Sequence, residues 1–312
     1  MKRIGIILSV LLSSLSVLGQ QDAMYSQYIF NTLAINPAYA GSRDILSATA
    51  LLRNQWVGIE GAPKTQTISF DMPLSNKKMG LGVQGFNDKV GITNLSGSFV
   101  SAAYRIFMER STLAFGLQGG VSHFKADLNS VNLDTQGGVD LAFRQNINQV
   151  LLNFGAGMYF NTDRFYLGVS LPHLLAALPI NNTLDNNSVV TNGLVTRKYL
   201  HLFVASGYVF NLGEDFKIKP SFLFKEIQGA PMQLDFNTNL WIKDVFAVGV
   251  QYRTNTAIAA MLEVQINPQI RMGYSYDRSV TKLANFNSGS HEIMLRYEFS
   301  FQKDGVLSPR YF

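Results

Sequence analysis

The sequence predicts an all-β protein, a transmembrane antiparallel up-and-down β-barrel of the outer-membrane type with about 14 strands and an irregular N-terminal segment. Three observations predict this fold. Apolar and polar residues alternate with a period of two over most of the chain. The alternating segments have the length of a tilted strand that crosses a bilayer, and long and short connections follow one another in turn.

The composition agrees with a barrel and excludes several other classes. Only 15% of the 312 residues are charged and 12% are aromatic, whereas soluble domains carry about 25% charged residues. Outside the beginning of the chain, no apolar run approaches the roughly 18 residues of a membrane-spanning helix. The chain has no Cys, so a disulfide framework and thiolate chemistry are excluded.

Residues 1–19 are typical of a secretory signal peptide. Lys2 and Arg3 precede an apolar stretch that reaches Leu18, and Gly19 ends a tripeptide that a signal peptidase accepts. The alternative, a short N-terminal core helix, lacks an amphipathic pattern. Cleavage after Gly19 removes two cations and changes the net charge from +5 to +5 − 2 = +3. A charge this small does not indicate a nucleic-acid partner.

Residues 20–43 precede the barrel and lack period two. They contain Asn36, Pro37 and Gly41, which favour turns, so we expect an irregular or briefly helical segment. A barrel of about 14 strands is wider than the eight-strand type that side chains alone fill, so its lumen has room for this segment. The predicted division of the chain is a signal peptide over 1–19, this segment, a barrel over 44–301 and a periplasmic C-terminal tail over 302–312.

The strands follow from the alternation. The clearest covers 232–242, where apolar residues such as Phe236 alternate with polar residues such as Asp235. Pro220 lies within another predicted strand and cannot donate to a ladder, so we expect a bulge there. Such segments predict strands near 45–53, 65–72, 79–86, 95–106, 112–122, 150–160, 165–171, 199–210, 216–226, 232–242, 245–253, 257–266, 270–277 and 290–301.

The connections indicate a membrane barrel. With these strands, the first, third and later odd connections average about 13 residues and the even ones about 4, as expected when every second connection is a periplasmic turn. A soluble sandwich has no reason for this asymmetry. The third connection is expected to have about 8 residues. The two longest, Lys125 to Gln149 and Pro172 to Lys198, are rich in Asn and face outward, where a partner or a gate is expected.

Closure of the sheet turns its apolar face toward lipid, because lipid offers no partners to backbone groups at an open edge. The charged face then lines a mixed, mildly basic lumen that holds water or a polar plug. The residues predicted to face the lumen are Arg105, Lys217, Lys219, Asp235, Arg253, Glu263, Arg271, Glu292, Arg296 and Glu298.

No motif indicates catalysis, a cofactor or a metal. Gly80, Gly82 and Gly85 match the dinucleotide pattern GxGxxG, but no helix follows and the strand alternation continues through them. The four histidines stand on separate strands or loops without metal-ligand spacing. An outer-membrane hydrolase needs Ser, His and an orienting partner brought together in space. A lipid-modifying enzyme therefore stays an open but weaker hypothesis.

Several motifs, in this order, resemble those of the PorP/SprF outer-membrane proteins of the type IX secretion system in the Bacteroidota. They are Tyr25 to Tyr28 (YSQY), Asn36 to Gly41 (NPAYAG), Arg53 to Trp56 (RNQW) with Gly61 to Gln66 (GAPKTQ), Phe165 to Leu174 (FYLGVSLPHL), Gly273 to Asp277 (GYSYD) and Ser308 to Phe312 (SPRYF). The resemblance covers nearly the whole mature chain.

The resemblance implies a non-enzymatic barrel in the outer membrane of a Gram-negative bacterium. It would support secretion or cell-surface anchoring of cargo proteins that carry a C-terminal sorting domain, which in gliding species include large adhesins. It also implies periplasmic, peptidoglycan-associated partners, which suits the short turns and the tail. The alternative function is a porin or small-solute transporter, which predicts an open, charge-lined lumen.

The resemblance and the predicted orientation of the loops together suggest residues that contact partners. They lie in the segment before the barrel, in the outward loops and in the tail: Asn36, Pro37, Tyr39, Gly41, Trp56, Pro172, His173, Ser308, Pro309, Arg310, Tyr311 and Phe312.

Overall fold

A computed structural model shows a closed antiparallel β-barrel and describes residues 26–28, 30–130, 146–177, 200–227 and 230–299. The predicted signal peptide and C-terminal tail lie outside these residues. Within them, no helix is long and apolar enough to cross a membrane.

Over the described residues, the sheet contains fifteen strands. They are β1 (Leu46–Asn54), β2 (Lys64–Pro73), β3 (Met79–Val90), β4 (Thr93–Met108), β5 (Ser111–Ala126), β6 (Ile147–Thr162), β7 (Phe165–Ala177), β8 (His201–Tyr208), β9 (Phe210–Asn211), β10 (Phe216–Ile227), β11 (Gln233–Ile242), β12 (Phe246–Arg253), β13 (Ala257–Gln265), β14 (Ile270–Ser279) and β15 (Ser290–Phe299). Short 3-10 helices cover Thr32–Ala34, Pro37–Tyr39, Leu128–Ser130 and Lys282–Asn285.

The sheet closes on itself between its first and last strands. β1 pairs with β15 from Leu46 opposite Phe299 to Asn54 opposite His291, and β10 pairs with β11. β8 and β9 continue one another across Val209 in a single register against β10. They count as one barrel strand, so the prediction of 14 antiparallel strands in a closed barrel is confirmed.

Strands in the first half of the barrel are longer than predicted. β4, β5 and β6 each have 16 residues. β3 ends at Val90 and β4 begins at Thr93, so only Gly91 and Ile92 connect them. The prediction of a longer third connection is therefore wrong. The polar residues from 87 to 89 end the hydrophobic alternation, but their backbone still pairs with β4.

The predicted bulge at Pro220 is also wrong. The register is the same on both sides of this residue, with Ser221 opposite Gly207 and Ile218 opposite Phe210. A proline removes one backbone donor but adds no residue to the strand. One hydrogen bond of the ladder is therefore missing, while the register stays the same. A register shift occurs instead between β6 and β7, between Phe154 and Ala156.

The two rims differ in their connections. We call the end that carries 127–146 and 178–200 the loop rim, and the end that carries 109–110 and 163–164 the turn rim. β1 begins at the turn rim and β15 ends there, since Leu46 pairs with Phe299.

The two faces of the wall have opposite polarity, as β2 illustrates. Thr65, Thr67, Ser69 and Asp71 are buried on its inner face, whereas Ile68, Phe70 and Met72 are exposed on the outer face. Leu117 and Val250, on other strands, are 69% and 61% exposed. Apolar side chains outside and polar ones inside are what an outer-membrane barrel requires.

Replacing Val250 by Arg tests the lipid-facing band. Val250 is exposed in the middle of β12, so we expect a loss of about 2–4 kcal/mol in unfolding free energy, the cost of a cation near the bilayer midplane. The measurement is urea unfolding in lipid vesicles. As the matched control, Val245→Arg at the turn rim should cost about 0–1 kcal/mol. Equal losses at both positions would contradict this placement of the membrane.

Candidate functional site in the barrel lumen

A stretch of chain crosses the lumen before the first strand. We call residues 26–28 and 30–43 the luminal segment. It touches the wall at widely separated strands: Gln27 contacts β15, Asn36 contacts β6 and Gly41 contacts β2. Its described residues are buried, apart from the half-buried Ala34. The lumen is thus filled by the chain itself at these levels.

Local sequence explains the bend of the luminal segment. Pro37 occupies the first position of the 3-10 helix Pro37–Tyr39, where its missing N–H is not needed. The Asn36 side chain caps this turn by accepting from the N–H of Ala38 at 3.0 Å, and its Nδ2 donates to the Met158 carbonyl on β6 at 3.0 Å. Gly41 then adopts φ of 71°, the left-handed region that favours glycine.

Inward-facing glycines let the luminal segment lie against the wall. A Cβ at Gly80 would collide with the Ala40 backbone, and one at Gly116 would collide with the backbone at Ala38. Four further glycines face the same segment in this way: Gly82, Gly157, Gly168 and Gly273. Gly80 and Gly82 belong to the GxGxxG match, and the structure gives them a packing role in β3.

Apolar side chains attach the luminal segment mainly to one half of the barrel. Leu33, Ile35 and Tyr39 belong to one buried cluster with Tyr159 and Tyr166. The rings of Tyr39 and Tyr159 meet edge to face at 5.3 Å. On the other half, Phe30 packs in a cluster with three wall residues, Trp241, Ala247 and Met294.

Tyr28 also belongs to the first cluster. Burial raises the pKa of its phenol well above the usual value, so the side chain is neutral at physiological pH.

Near the loop rim, a charged cluster holds the beginning of the luminal segment. Glu292 accepts the backbone N–H of Ser26 at 2.9 Å and that of Gln27 at 2.7 Å, one on each carboxylate oxygen. Arg53 donates to Glu292 at 2.8 Å and to Asp277 at 2.7 Å. The Ser26 hydroxyl donates to Asp277. We call these five residues the latch.

A second set of contacts fixes the end of the luminal segment near the turn rim. Arg43 pairs with Glu298 at 2.9 Å, and Arg105 pairs with Asp44 at 2.7 Å. Arg105 also donates to the Gly41 carbonyl at 2.8 Å. The segment is therefore held by charged contacts at both ends, and these ions are paired as buried charges must be.

The residues predicted to line the lumen fall into several separate groups. Arg253 pairs with Asp235 at 3.2 Å next to the latch, and Arg271 pairs with Glu263 at 2.6 Å. Lys219 is fully buried between the rings of Tyr166 and Trp241. The remaining predicted residues have these contacts: Glu292 in the latch, Arg105 and Glu298 at the end of the luminal segment, Arg296 donating to Thr49 at 3.3 Å, and Lys217 donating to Asp244 at 2.9 Å.

The residues predicted to contact partners are split between the interior and the loop rim. Asn36, Pro37, Tyr39 and Gly41 lie in the luminal segment and contact the wall. Ser308 to Phe312 lie outside the described residues.

Three of these residues lie on the loop-rim side of the barrel. Trp56 lies in the connection from β1 to β2, and its N–H donates to the Ser290 hydroxyl at 3.1 Å. Pro172 lies at the register shift of β7, and its carbonyl accepts from Gln118 at 2.9 Å. His173 follows it.

Sequence reasoning missed two groupings. The latch joins residues far apart in the chain, which no local pattern reveals. His173 and His201 lie together, with ring centroids 5.6 Å apart, although they seemed separate along the chain. The inward-facing glycines were the signal that could have revealed a segment packed against the wall, because several of them stand at inward positions of otherwise regular strands. Over the described ranges no group of three or more His, Asp or Glu side chains could hold a metal.

Comparison with known proteins places the chain among membrane barrels. A family model described as type IX secretion system membrane protein PorP/SprF matches residues 17–297. No curated protein matches the sequence.

Three solved structures show similarity at the level of the fold. They are the CymD monoaromatic hydrocarbon channel (TM-score 0.51, 10% identity, 92% of this chain and 96% of that one), the Ralstonia pickettii toluene transporter TbuX (0.48, 10%, 88% and 93%) and the KdgM porin (0.41, 11%, 81% and 99%).

Substituting Gly116 by Ala tests the fit between the luminal segment and the wall. The added methyl group would collide with the backbone at Ala38, so we expect a loss of about 1–3 kcal/mol from overpacking. Gly119→Ala on the same strand is the control, because its nearest neighbour, Phe154, lies at an ordinary 3.7 Å. Urea unfolding that does not distinguish the two variants would contradict the fit.

Replacing Arg53 by Met tests the latch. Two buried carboxylates would lose their cation, so we expect a loss of about 3–5 kcal/mol. The control is Lys217→Met, whose pair with Asp244 is more exposed, with side chains 18% and 36% accessible, and should cost within about 1 kcal/mol. Chemical denaturation followed by Trp fluorescence measures both, and a small loss for Arg53→Met would refute the role of the latch.

Proposed function

Because the chain belongs to the PorP/SprF family of type IX secretion system membrane proteins, we propose that this outer-membrane barrel supports the secretion or cell-surface anchoring of specific cargo proteins. The proposed cargo carries a C-terminal sorting domain, as large gliding adhesins do. The proposal includes export by the signal peptide over 1–19 and a role without enzymatic activity.

The observation that carries the proposal is the filled lumen. The luminal segment is buried and held by ion pairs at both ends. A porin needs an open path for solute, whereas a barrel that holds or hands over a protein partner can do so at its rims. The filled lumen therefore favours the cargo role over the alternative of a small-solute transporter.

We assign the two rims to different partners. The loop rim, with Trp56, Pro172 and His173 on its side of the barrel, faces the cargo. The turn rim faces the periplasm, together with the tail that ends in Ser308 to Phe312. There we propose contacts with peptidoglycan-associated components of the secretion system. Asn36, Pro37, Tyr39 and Gly41 would act indirectly, by holding the luminal segment in place.

Cargo display in the native bacterium tests this function. A deletion strain should lose surface cargo, and complementation with the wild-type gene should restore it. The double variant Trp56→Ala/His173→Ala should lower cargo retention about tenfold, because truncating an interface residue that contributes to binding costs more than about 1 kcal/mol. Surface cargo is measured by protease accessibility on whole cells.

Leu117→Ala is the matched control, because this residue lies in the lipid-facing band away from both rims.

Deleting Ser308 to Phe312 should remove periplasmic partners from the purified complex while the barrel remains in the membrane. Normal cargo display in the deletion strain, combined with a steady open conductance of the purified barrel, would favour the transporter instead.

A further inference from the structure

The luminal segment occupies the lumen without being part of its wall. No residue of 26–28 or 30–43 pairs in the β-ladder, and its regular structure is limited to two 3-10 helices. The wall closes through the pairing of β1 with β15 and of β10 with β11. Moving the segment therefore breaks no hydrogen bond between strands, and the barrel remains closed without it.

The wall behind the luminal segment is suited to water on the sides away from the cluster with Tyr159 and Tyr166. The inner face of β2 carries the hydroxyl side chains Thr65, Thr67 and Ser69 and the carboxyl side chain of Asp71. On the opposite side, β11 and β12 contribute Asn237, Asn239 and Gln251, which are also buried. Amides and hydroxyls can exchange protein partners for water at low cost, unlike an apolar wall. A 14-strand barrel with such a wall is wide enough to form an aqueous channel once the segment moves.

The latch can release the segment without leaving its carboxylates unpaired. It holds Ser26 and Gln27 near the loop rim through two backbone N–H groups, the Ser26 hydroxyl and the Gln27 side-chain amide, which donates to the Glu292 carbonyl. The Ser26 hydroxyl also accepts from Arg53 and Arg253. When these donors leave, Glu292 and Asp277 keep Arg53 as their cation. The carboxylates are thus not left as unpaired buried charges, which would be the expensive outcome.

From these observations we propose that the luminal segment is a displaceable plug, and that its displacement opens a conducting pore for small hydrophilic ions. This activity goes beyond the proposed role in cargo handling. The latch sets how often the pore is open. The apolar contacts of Leu33, Ile35 and Tyr39 return the plug to its place.

Planar-bilayer recording in potassium chloride tests the proposal. Ser26→Ala removes the hydroxyl that donates to Asp277 and accepts from Arg53 and Arg253, so it should weaken the latch without altering the wall. We expect the open probability to rise about tenfold or more above that of the wild-type protein. Ser130→Ala, the same substitution at an exposed position beside the loop rim, should leave the record unchanged.

A tether makes the test independent of folding defects. Ser69 on the wall donates to Asn31 on the plug at 2.9 Å, and the chain has no Cys of its own. Asn31→Cys/Ser69→Cys in the Ser26→Ala background should therefore conduct when reduced and lose its conductance when oxidised. Heat-modifiable migration on gels first establishes that each protein is folded.

Gln27→Pro is the second latch variant, because proline lacks the N–H that Glu292 accepts. The proposal is overturned if the open probability of the folded latch variants is no higher than that of the wild-type barrel. It is also overturned if conductance persists after the disulfide has formed, since the pore would then not depend on the plug. Cargo display, scored in cells, is a separate readout and can succeed or fail independently.

Discussion

The pairing of every backbone group within lipid is the constraint on which this structure depends. It closes the sheet, and closure turns apolar side chains outward and polar ones inward. A wide barrel then encloses more space than its own wall side chains fill. Here the chain supplies the filling from its own N-terminal region, through contacts that match the wall: glycines where backbone approaches backbone, and ion pairs where charges are buried.

The luminal segment is held by apolar contacts and by charged contacts, and the two kinds join it to different strands. Its apolar side chains fix it mainly against the β4–β10 half. Its charged contacts join it to β15 at the seam of the barrel and, through Arg105, to β4. Once the segment moves, Arg53 still pairs with both carboxylates of the latch and Arg105 still pairs with Asp44. The same arrangement therefore accounts for a filled lumen and for a barrel that does not depend on the filling to remain closed.

Much of the barrel could be predicted because alternation is a local property. The number of strands, the direction of their faces and the positions of residues such as Asp235 and Arg296 follow from it. Two predictions were wrong for physical reasons. The hairpin at Gly91 continues beyond the apolar band, and Pro220 interrupts a ladder without changing its register. The contact of Ser26 with Glu292 spans 266 positions, so only the closed barrel reveals it.

The latch also has a consequence for the order of assembly. Its residues come from both extremes of the chain: Ser26 and Arg53 are synthesised early, whereas Asp277 and Glu292 belong to the last two strands. Arg53 on β1 reaches across the closing seam to Glu292 on β15. The luminal segment therefore cannot reach its final position until the last hairpin has been added, so its burial follows the completion of the barrel.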